Sequence, residues 1–318
     1  MEFALIQGAM IFASELTLLC IGFTLTYLTA KIPNFAHGTY AGIGIYVVFT
    51  FTRIFNLSPY LGFPVAFLLG GAISVVVYIL VIGTLTKIGS GSIVLTISTL
   101  AIQILLTSLI KIYAYWLMLT YHQYANGFIL KNADFSFAGW PGIFIVSMSI
   151  SILSVIILHF ALTRTKIGIA MRATAEDPEL ASVLGININQ IQLFSWFITG
   201  GLACLAGAII PLWFQCDPNT GSNMITSIMA GSLLGGFDNV YGAIIGGYIV
   251  GLSEVLLTYA GTVAIGTWFG EYRSLVPMVF LIVVLLIEPR GLQGLYERYK
   301  ASRLKKLPHS SEEDGNVD

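Results

Sequence analysis

Long apolar stretches separated by short polar or charged segments make up most of this chain. A helix needs about 20 predominantly apolar residues to cross the hydrocarbon core of a bilayer. The pattern predicts membrane segments at residues 3–30, 35–52, 61–83, 92–119, 141–162, 191–213, 224–234, 241–259 and 274–287. We therefore expect an all-α fold, a polytopic transmembrane helical bundle of roughly eight or nine membrane segments.

Two of these segments, 35–52 and 224–234, are short enough to be half-helices or re-entrant segments. Non-helical backbone is tolerated at membrane depth only where protein surrounds it or where it lines a water-filled cavity. Pro33 and Asn34 stand directly before the first of them. We therefore expect some of the membrane segments to be broken or re-entrant.

The composition supports a lipid environment. Hydrophobic residues make up 56% of the chain and charged residues 10%, whereas soluble domains have about 25% charged residues. The mean hydropathy of +0.86 agrees with a multi-pass protein of the cell membrane, in contact with the lipid bilayer. A net charge of −1 argues against a nucleic-acid partner, because nucleic-acid-binding domains are usually strongly basic.

Lysine and arginine are distributed unequally between the two sides when the segments alternate across the membrane. If the charged segment 164–190 is cytoplasmic, Arg53, Lys131 and Arg273 fall outside and Lys111 falls within a span. The other eleven basic residues then lie inside: Lys31, Lys87, Arg164, Lys166, Arg172, Arg290, Arg298, Lys300, Arg303, Lys305 and Lys306. Since cytoplasmic loops carry the excess of Lys and Arg, the C-terminus is predicted to be cytoplasmic. The polar, acidic tail at 308–318 is predicted to be disordered.

No residue pattern indicates a catalytic or metal site. The three cysteines form no CxxC motif or Cys/His cluster, so neither a disulfide framework nor a metal site is expected. The phosphate-binding sequence GxxxxGK[ST] is absent, and no Gly-Lys dipeptide occurs. Without such a loop the chain is not expected to hydrolyse ATP, and no cofactor is implied.

The charged segment 164–190 is predicted to contain a short helix. Asp177 followed by Pro178 is typical of an N-cap and a first helical position. Gly185 is typical of the residue that ends a helix.

This short helix would carry an apolar stripe. Leu180, Val183 and Leu184 share one face at helical spacing. An exposed stripe of this kind is typical of a docking surface. The pattern alone equally allows a helix that lies on the membrane interface or on the protein's own spans.

Four polar side chains fall inside the predicted spans: Glu15, Gln103, Lys111 and Glu254. An ionisable group at the bilayer centre costs about 2.5–3.5 kcal/mol or more, so it usually faces protein or a water-filled cavity. Glu254 and Gln103 are candidates for a translocation path, while hydrogen bonding to a neighbouring helix is the alternative for both glutamates. Lys111 lies within reach of the interface through its long side chain.

The segment that follows the first span is a further path candidate. Pro33 lacks an N–H, and Asn34 and Gly38 are weak helix formers, so a helix break here would free backbone groups near a path. His37 is either a pH-sensitive group or a hydrogen-bonded structural residue.

Four sequence segments resemble one known family. They are NFAHG at 34–38, GIAMRATAEDPELASVLGI at 168–186, SLLGGFDNVYGAIIGG at 232–247 and YRSLVPMVFLIVVLLIEPRGLQG at 272–294. In this order and spacing they are similar to the branched-chain amino acid permeases of ATP-binding cassette (ABC) importers, the LivH/LivM type. The resemblance runs from residue 12 to residue 295. Two features depart from it: Glu15 stands where such chains have small or polar residues, and the loop 120–139 resembles no segment that identifies the family.

The resemblance implies a transmembrane permease domain at 1–307 that pairs with a second permease in a homodimer or heterodimer. Two ATP-binding subunits would bind the cytoplasmic loops, and an extracytoplasmic solute-binding protein would deliver an amino-acid substrate. The segment 164–190 would then be the coupling loop that docks on an ATPase. Its coupling residues would be Arg172, Ala173, Asp177, Pro178, Leu180, Val183, Leu184 and Gly185.

The sequence therefore predicts a permease subunit that moves amino acids, branched-chain ones first, by alternating access. Its path candidates are Asn34, His37, Gly38, Gln103 and Glu254. The alternatives are an ABC permease for a sugar, urea or amides, an ion-coupled secondary transporter with a glutamate as proton carrier, and a channel.

Overall fold

The computed structural model describes residues 2–288 together with Gly291 and Gly294. The predicted acidic tail at 308–318 and the basic residues of the C-terminal segment lie outside the described residues. The helices are α1 (Glu2–Ala30), α2 (His37–Arg53), α3 (Gly62–Val77), α4 (Gly83–Lys87), α5 (Ser92–Tyr121), α6 (Gly142–Arg164), α7 (Lys166–Glu176), α8 (Pro178–Val183), α9 (Ile188–Ile209), α10 (Thr220–Asn223), α11 (Ile225–Gly235), α12 (Val240–Ala264) and α13 (Leu275–Ile287).

Short irregular elements connect these helices. A π-helical turn at Tyr78–Ile82 joins α3 to α4. Strands β1 (Ser136–Phe137) and β2 (Trp140–Pro141) form an antiparallel pair. Short 3-10 turns occur at Pro59–Leu61, Lys131–Ala133, Ile210–Leu212 and Thr267–Tyr272.

Six helices in the described part of the chain are long and apolar enough to cross a membrane. They cover Phe3–Ala30, Pro59–Lys87, Ser92–Tyr121, Gly142–Arg164, Ile188–Leu212 and Val240–Ala264. The predicted α-helical, multi-pass membrane fold is confirmed. The count of roughly eight or nine segments is not, because α2, α11 and α13 are shorter than these six.

Helices α1 and α9 form the centre of the bundle. In their most apolar windows 78% and 72% of the residues are buried, against 22–44% in the other four long helices. The outer helices expose large side chains such as Ile104, Leu105 and Phe160, as expected for a surface that faces lipid tails.

Glycines at the crossing points let the helix backbones approach closely. A Cβ on Gly200 of α9 would overlap the carbonyl oxygen of Gly70 on α3. A Cβ on Gly235 of α11 would overlap the backbone of Gly242 on α12. In lipid, where apolar surface gains little from association, such small residues allow the close packing that holds helices together.

The loop between α5 and α6 folds over one end of the bundle. Phe128 and Cys216 exchange two backbone hydrogen bonds, of 3.0 and 2.8 Å. The Lys131 ammonium lies 4.1 Å from the centroid of the Trp213 ring, and Tyr60 donates to Asp134. We call this end of the bundle the Trp213 end.

The opposite end carries Lys31, at the close of α1. Its ammonium lies 3.4 Å from Asp238 Oδ1, in the turn between α11 and α12. The segment 164–190 lies at this end too, because Met171 and Arg172 of α7 line one cavity together with Lys31 and Asp238. We call it the Lys31 end.

Candidate functional site

Helix α8 is fixed at both ends by the residues that the sequence indicated. The Asp177 side chain accepts a hydrogen bond from the Leu180 backbone N–H at 3.0 Å, and Pro178 occupies the first turn. Gly185 follows the helix with φ of +84°, a conformation that favours glycine. The predicted N-cap and helix stop are both confirmed.

The apolar stripe of α8 is exposed. Leu180 is 56% exposed, Val183 84% and Leu184 71%, while Ala181 on the other side is buried. None of the residues that the structure describes covers this stripe. Removing it from water would gain roughly 25 cal/mol for each Å² of apolar area, so a partner surface would bind it favourably.

The remaining predicted coupling residues, Arg172 and Ala173, lie on α7. The Ala173 carbonyl accepts a hydrogen bond from the Asp177 N–H at 3.0 Å, which joins α7 to the α8 cap. Arg172 is exposed and lines a cavity of about 620 Å³ at the Lys31 end. Lys31 and Asp238 line the same cavity, so this loop sits beside the end of α1.

The segment 164–190 leads directly into α9, which contacts the end of α1. Thr29 Oγ1 near the end of α1 lies 2.9 Å from Ser195 Oγ on α9. The Gln192 side-chain amide donates to the Thr29 carbonyl. Two side-chain hydrogen bonds therefore join the start of α9 to the end of α1.

The predicted helix break after α1 is present. Residues 31–36 are not helical, and the Asn34 side-chain oxygen accepts a hydrogen bond from the Ala36 N–H at 3.1 Å. His37, fully buried, begins α2, and its Nε2 lies 3.0 Å from the Leu19 carbonyl oxygen. Leu19 precedes the end of α1 by eleven residues, so α2 begins about 16 Å inside the bundle from that end.

A second break faces the first. Between α9 and α11 the chain runs through residues 213–224, and Gly221 of α10 packs against α2. A Cβ on Gly38 would overlap the Gly221 carbonyl oxygen, and one on Gly221 would overlap the Gly42 amide. Two interrupted helices thus meet inside the bundle at Gly38 and Gly221.

The five predicted path residues do not form one site. Asn34, His37 and Gly38 lie together at the first break, as their sequence spacing requires. Gln103 is a half-buried residue of α5, away from the Glu254 cavity described next.

Glu254 lines a cavity of about 640 Å³ near the Trp213 end, which we call the Glu254 cavity. Its Oε1 accepts a hydrogen bond from Arg273 Nε at 2.7 Å. The Arg273 guanidinium carbon lies 3.9 Å from the centroid of the Phe12 ring and 5.4 Å from that of Phe214. A cation over an aromatic face gains about 0.5–2 kcal/mol, so Arg273 is held by both charge and rings.

The sequence pattern indicated no contact between Glu15 and Glu254 and placed Arg273 outside the membrane. The structure instead puts all three on the lining of the Glu254 cavity. Glu15 is 0% exposed, and neither of its carboxylate oxygens has a hydrogen-bond partner among the described residues. One feature of the sequence could have indicated this cluster. Two acidic residues within predicted spans and a basic residue next to the last span each need a partner of opposite charge or a polar surrounding.

Comparison with known proteins gives the family. Residues 5–285 match the family described as the branched-chain amino acid transport system permease component. The chain belongs to this family. It is therefore a membrane transport component rather than an enzyme.

Individual relatives agree with the family match. The probable branched-chain amino acid transport permease protein LivH of Methanocaldococcus jannaschii is 40% identical over 294 residues, which cover 92% of this chain and 93% of the relative. The high-affinity branched-chain amino acid transport system permease protein LivH of Escherichia coli K12 is 27% identical, over 88% of this chain and 92% of its own. The fructose import permease protein FrcC of Rhizobium meliloti is 30% identical over 43% of this chain and 40% of its own. No solved structure matches.

Proposed function

We propose that this permease carries branched-chain amino acids inward across the cell membrane as one subunit of an ABC importer. The observation that carries the proposal is the 40% identity to a LivH permease over 92% of this chain and 93% of the relative. The match to the fructose permease covers less than half of either chain and supports a sugar less well.

Helix α8 is the element through which ATP hydrolysis acts in this proposal. Its exposed stripe of Leu180, Val183 and Leu184 is the apolar surface that an ATPase subunit would cover. The Asp177 cap and the Gly185 stop keep the helix short and fixed relative to α9. Arg172, Ala173 and Pro178 complete the coupling loop.

The two interrupted helices are the proposed lining of the translocation path. Broken helices at membrane depth occur where backbone groups line a cavity. The break at Asn34, His37 and Gly38 meets the break at Gly221, and both lie inside the bundle. In this proposal α2 and α10 move apart during transport, so that the path between them opens to one side of the membrane at a time.

The assembly follows the usual requirements of an ABC importer. Two ATP-binding subunits would sit at the Lys31 end, a second permease would complete the path, and a solute-binding protein would dock at the Trp213 end. Counting α2, α11 and α13 with the six long helices gives roughly nine membrane segments. This count and the basic residues at the Lys31 end both favour a cytoplasmic C-terminus.

Competition for uptake tests the substrate. Membrane vesicles with the permease, its co-expressed ATPases and its binding protein would take up radiolabelled leucine when supplied with ATP. Excess unlabelled isoleucine or valine should suppress the signal, and excess fructose or urea should leave it unchanged. Suppression by fructose without suppression by valine would contradict the proposal and favour a sugar permease.

A further inference from the structure

The Glu254 cavity holds an unusual excess of carboxylates for a site in a membrane protein. Its lining includes Glu15, Asp217, Glu254 and Glu271, against a single basic residue, Arg273. Charged groups inside a membrane protein usually pair with one another or mark a substrate route. The excess of acid therefore calls for a cationic group from elsewhere.

Two of these four acids are already satisfied or solvated. Asp217 Oδ1 accepts hydrogen bonds from Thr220 Oγ1 at 2.8 Å and from the Asn219 N–H at 2.9 Å, so it holds the turn before α10. Glu271 is exposed at the mouth of the cavity. Glu15 and Glu254 are therefore the two acids that a cationic group of a ligand would contact.

Glu15 is the group that lacks a partner. Its side chain is fully buried and both oxygens are without hydrogen bonds among the described residues. Arg273 is the nearest compensating charge, but its Nε is engaged by Glu254. A buried carboxyl group without partners loses the hydrogen bonds that it would make in water, so a ligand ammonium that donated to it would recover much of that loss.

Arg273 offers the complementary donor. Its Nη2 is buried and also has no hydrogen-bond partner in the described part of the chain. A guanidinium binds a carboxylate well because its N–H groups match the two carboxylate oxygens. The cavity thus presents an unused acceptor and an unused donor, which are the two partners that a zwitterion requires.

The rest of the lining combines apolar side chains, which can contact the leucine side chain, with polar ones: Asn126, Gln215, Thr220, Asn223, Ser227 and Ser274. The apolar lining residues are Phe12, Ile210, Phe214 and Met224. The volume of about 640 Å³ lies within the range of roughly 300–1,000 Å³ that is typical of small-molecule pockets.

The geometry points to the Glu254 cavity as a binding site for the head group of a free amino acid, with its ammonium on Glu15 and Glu254 and its carboxylate on Arg273. In the present conformation the Arg273–Glu254 pair lines the cavity, and Glu15 lies next to the pair but is not accessible to solvent. The arriving carboxylate draws Arg273 from Glu254, which frees Glu254 and gives the ammonium access to Glu15. This inference rests on the proposed function, because it assigns a site to the substrate named there.

Binding of tritiated L-leucine to the purified full-length chain tests this site. Glu15→Gln keeps the side-chain shape and removes the carboxyl group that would pair with the ligand ammonium, and it should weaken leucine binding roughly tenfold or more, as expected for a lost charged hydrogen bond. Asp238→Asn is the matched control, since it removes a carboxylate from the exposed pair with Lys31 at the opposite end. Its binding should equal that of the native chain.

Leucine analogues separate the two halves of the zwitterion. Isocaproate lacks the ammonium and isoamylamine lacks the carboxylate, so neither should displace leucine at concentrations where unlabelled leucine does. Equal binding by the native chain and Glu15→Gln would overturn the inference.

Uptake by the assembled importer distinguishes this inference from the proposed function. If the importer carries leucine but the purified permease does not bind it, the site inference fails and the proposed function stands. If the importer carries only a different solute, the proposed function fails. In that case the binding of tritiated leucine to the purified chain, and its loss in Glu15→Gln, would still test the site separately.

Discussion

Arg273 Nε and Glu254 Oε1, which belong to segments on either side of the 3-10 turn after α12, are joined by a hydrogen bond of 2.7 Å. The Glu254 side chain is 6% exposed and that of Arg273 31%, so water screens this ion pair only from the arginine side. The pair fixes the short α13 against α12 and forms part of the Glu254 cavity.

Breaking this pair from the arginine side should destabilise the permease. Arg273→Met leaves the Glu254 carboxylate buried without its partner, at a cost of about 2 kcal/mol or more. The thermal unfolding midpoint of the purified chain should fall clearly, while Arg53→Met at an exposed helix end should leave it nearly unchanged. An equal midpoint for the two variants would mean that the pair contributes nothing to stability.

The close contact between the two breaks provides a second prediction. Gly38→Ala places a methyl group against the Gly221 carbonyl, and overpacking of this kind costs about 1–3 kcal/mol. Gly91→Ala meets no atom within 4 Å and serves as the control. Thermal midpoints should fall for the first variant only. If both variants are as stable as the native chain, α2 and α10 do not pack as described.

The α8 stripe can be tested without disturbing the fold. Leu184→Asp places a charge on an exposed position, where it costs the free permease little but opposes docking through desolvation. Membrane insertion should be normal, and co-purification of the ATPase should drop. Ile88→Asp, at another exposed apolar position, is the matched control. Unchanged ATPase binding and transport by Leu184→Asp would exclude α8 as the coupling element.

Labelling of single cysteines tests the orientation. The three native cysteines are buried, so they give little background with an impermeant reagent. In intact cells a cysteine at Asn132, in the exposed loop at the Trp213 end, should be labelled, and one at Ser310 should not. Labelling at Ser310 would contradict the cytoplasmic C-terminus.

Features encoded locally were accessible from the sequence, whereas those formed by distant residues were not. The apolar runs indicated the long helices, and Asp177, Pro178 and Gly185 indicated the limits of α8, because caps and stops depend on neighbouring residues. Pro33 and Asn34 marked the break before α2 for the same reason. The meeting of Glu15 with Glu254 and Arg273 depends on tertiary packing, which no spacing in a single sequence reveals.

The energy source for uptake tests the central claim most directly, because it separates an ABC permease from an ion-coupled transporter. In proteoliposomes that contain the permease, its ATPases and its binding protein, leucine uptake should require ATP. With ATP held constant, uptake should continue when a protonophore is added. Glu254→Gln and Glu15→Gln should still take up leucine at saturating concentration, since neither residue has to exchange a proton during the cycle. Two results together would contradict the account and favour a proton-coupled transporter. Uptake would be lost when the protonophore is added at constant ATP, and either glutamine variant would be inactive.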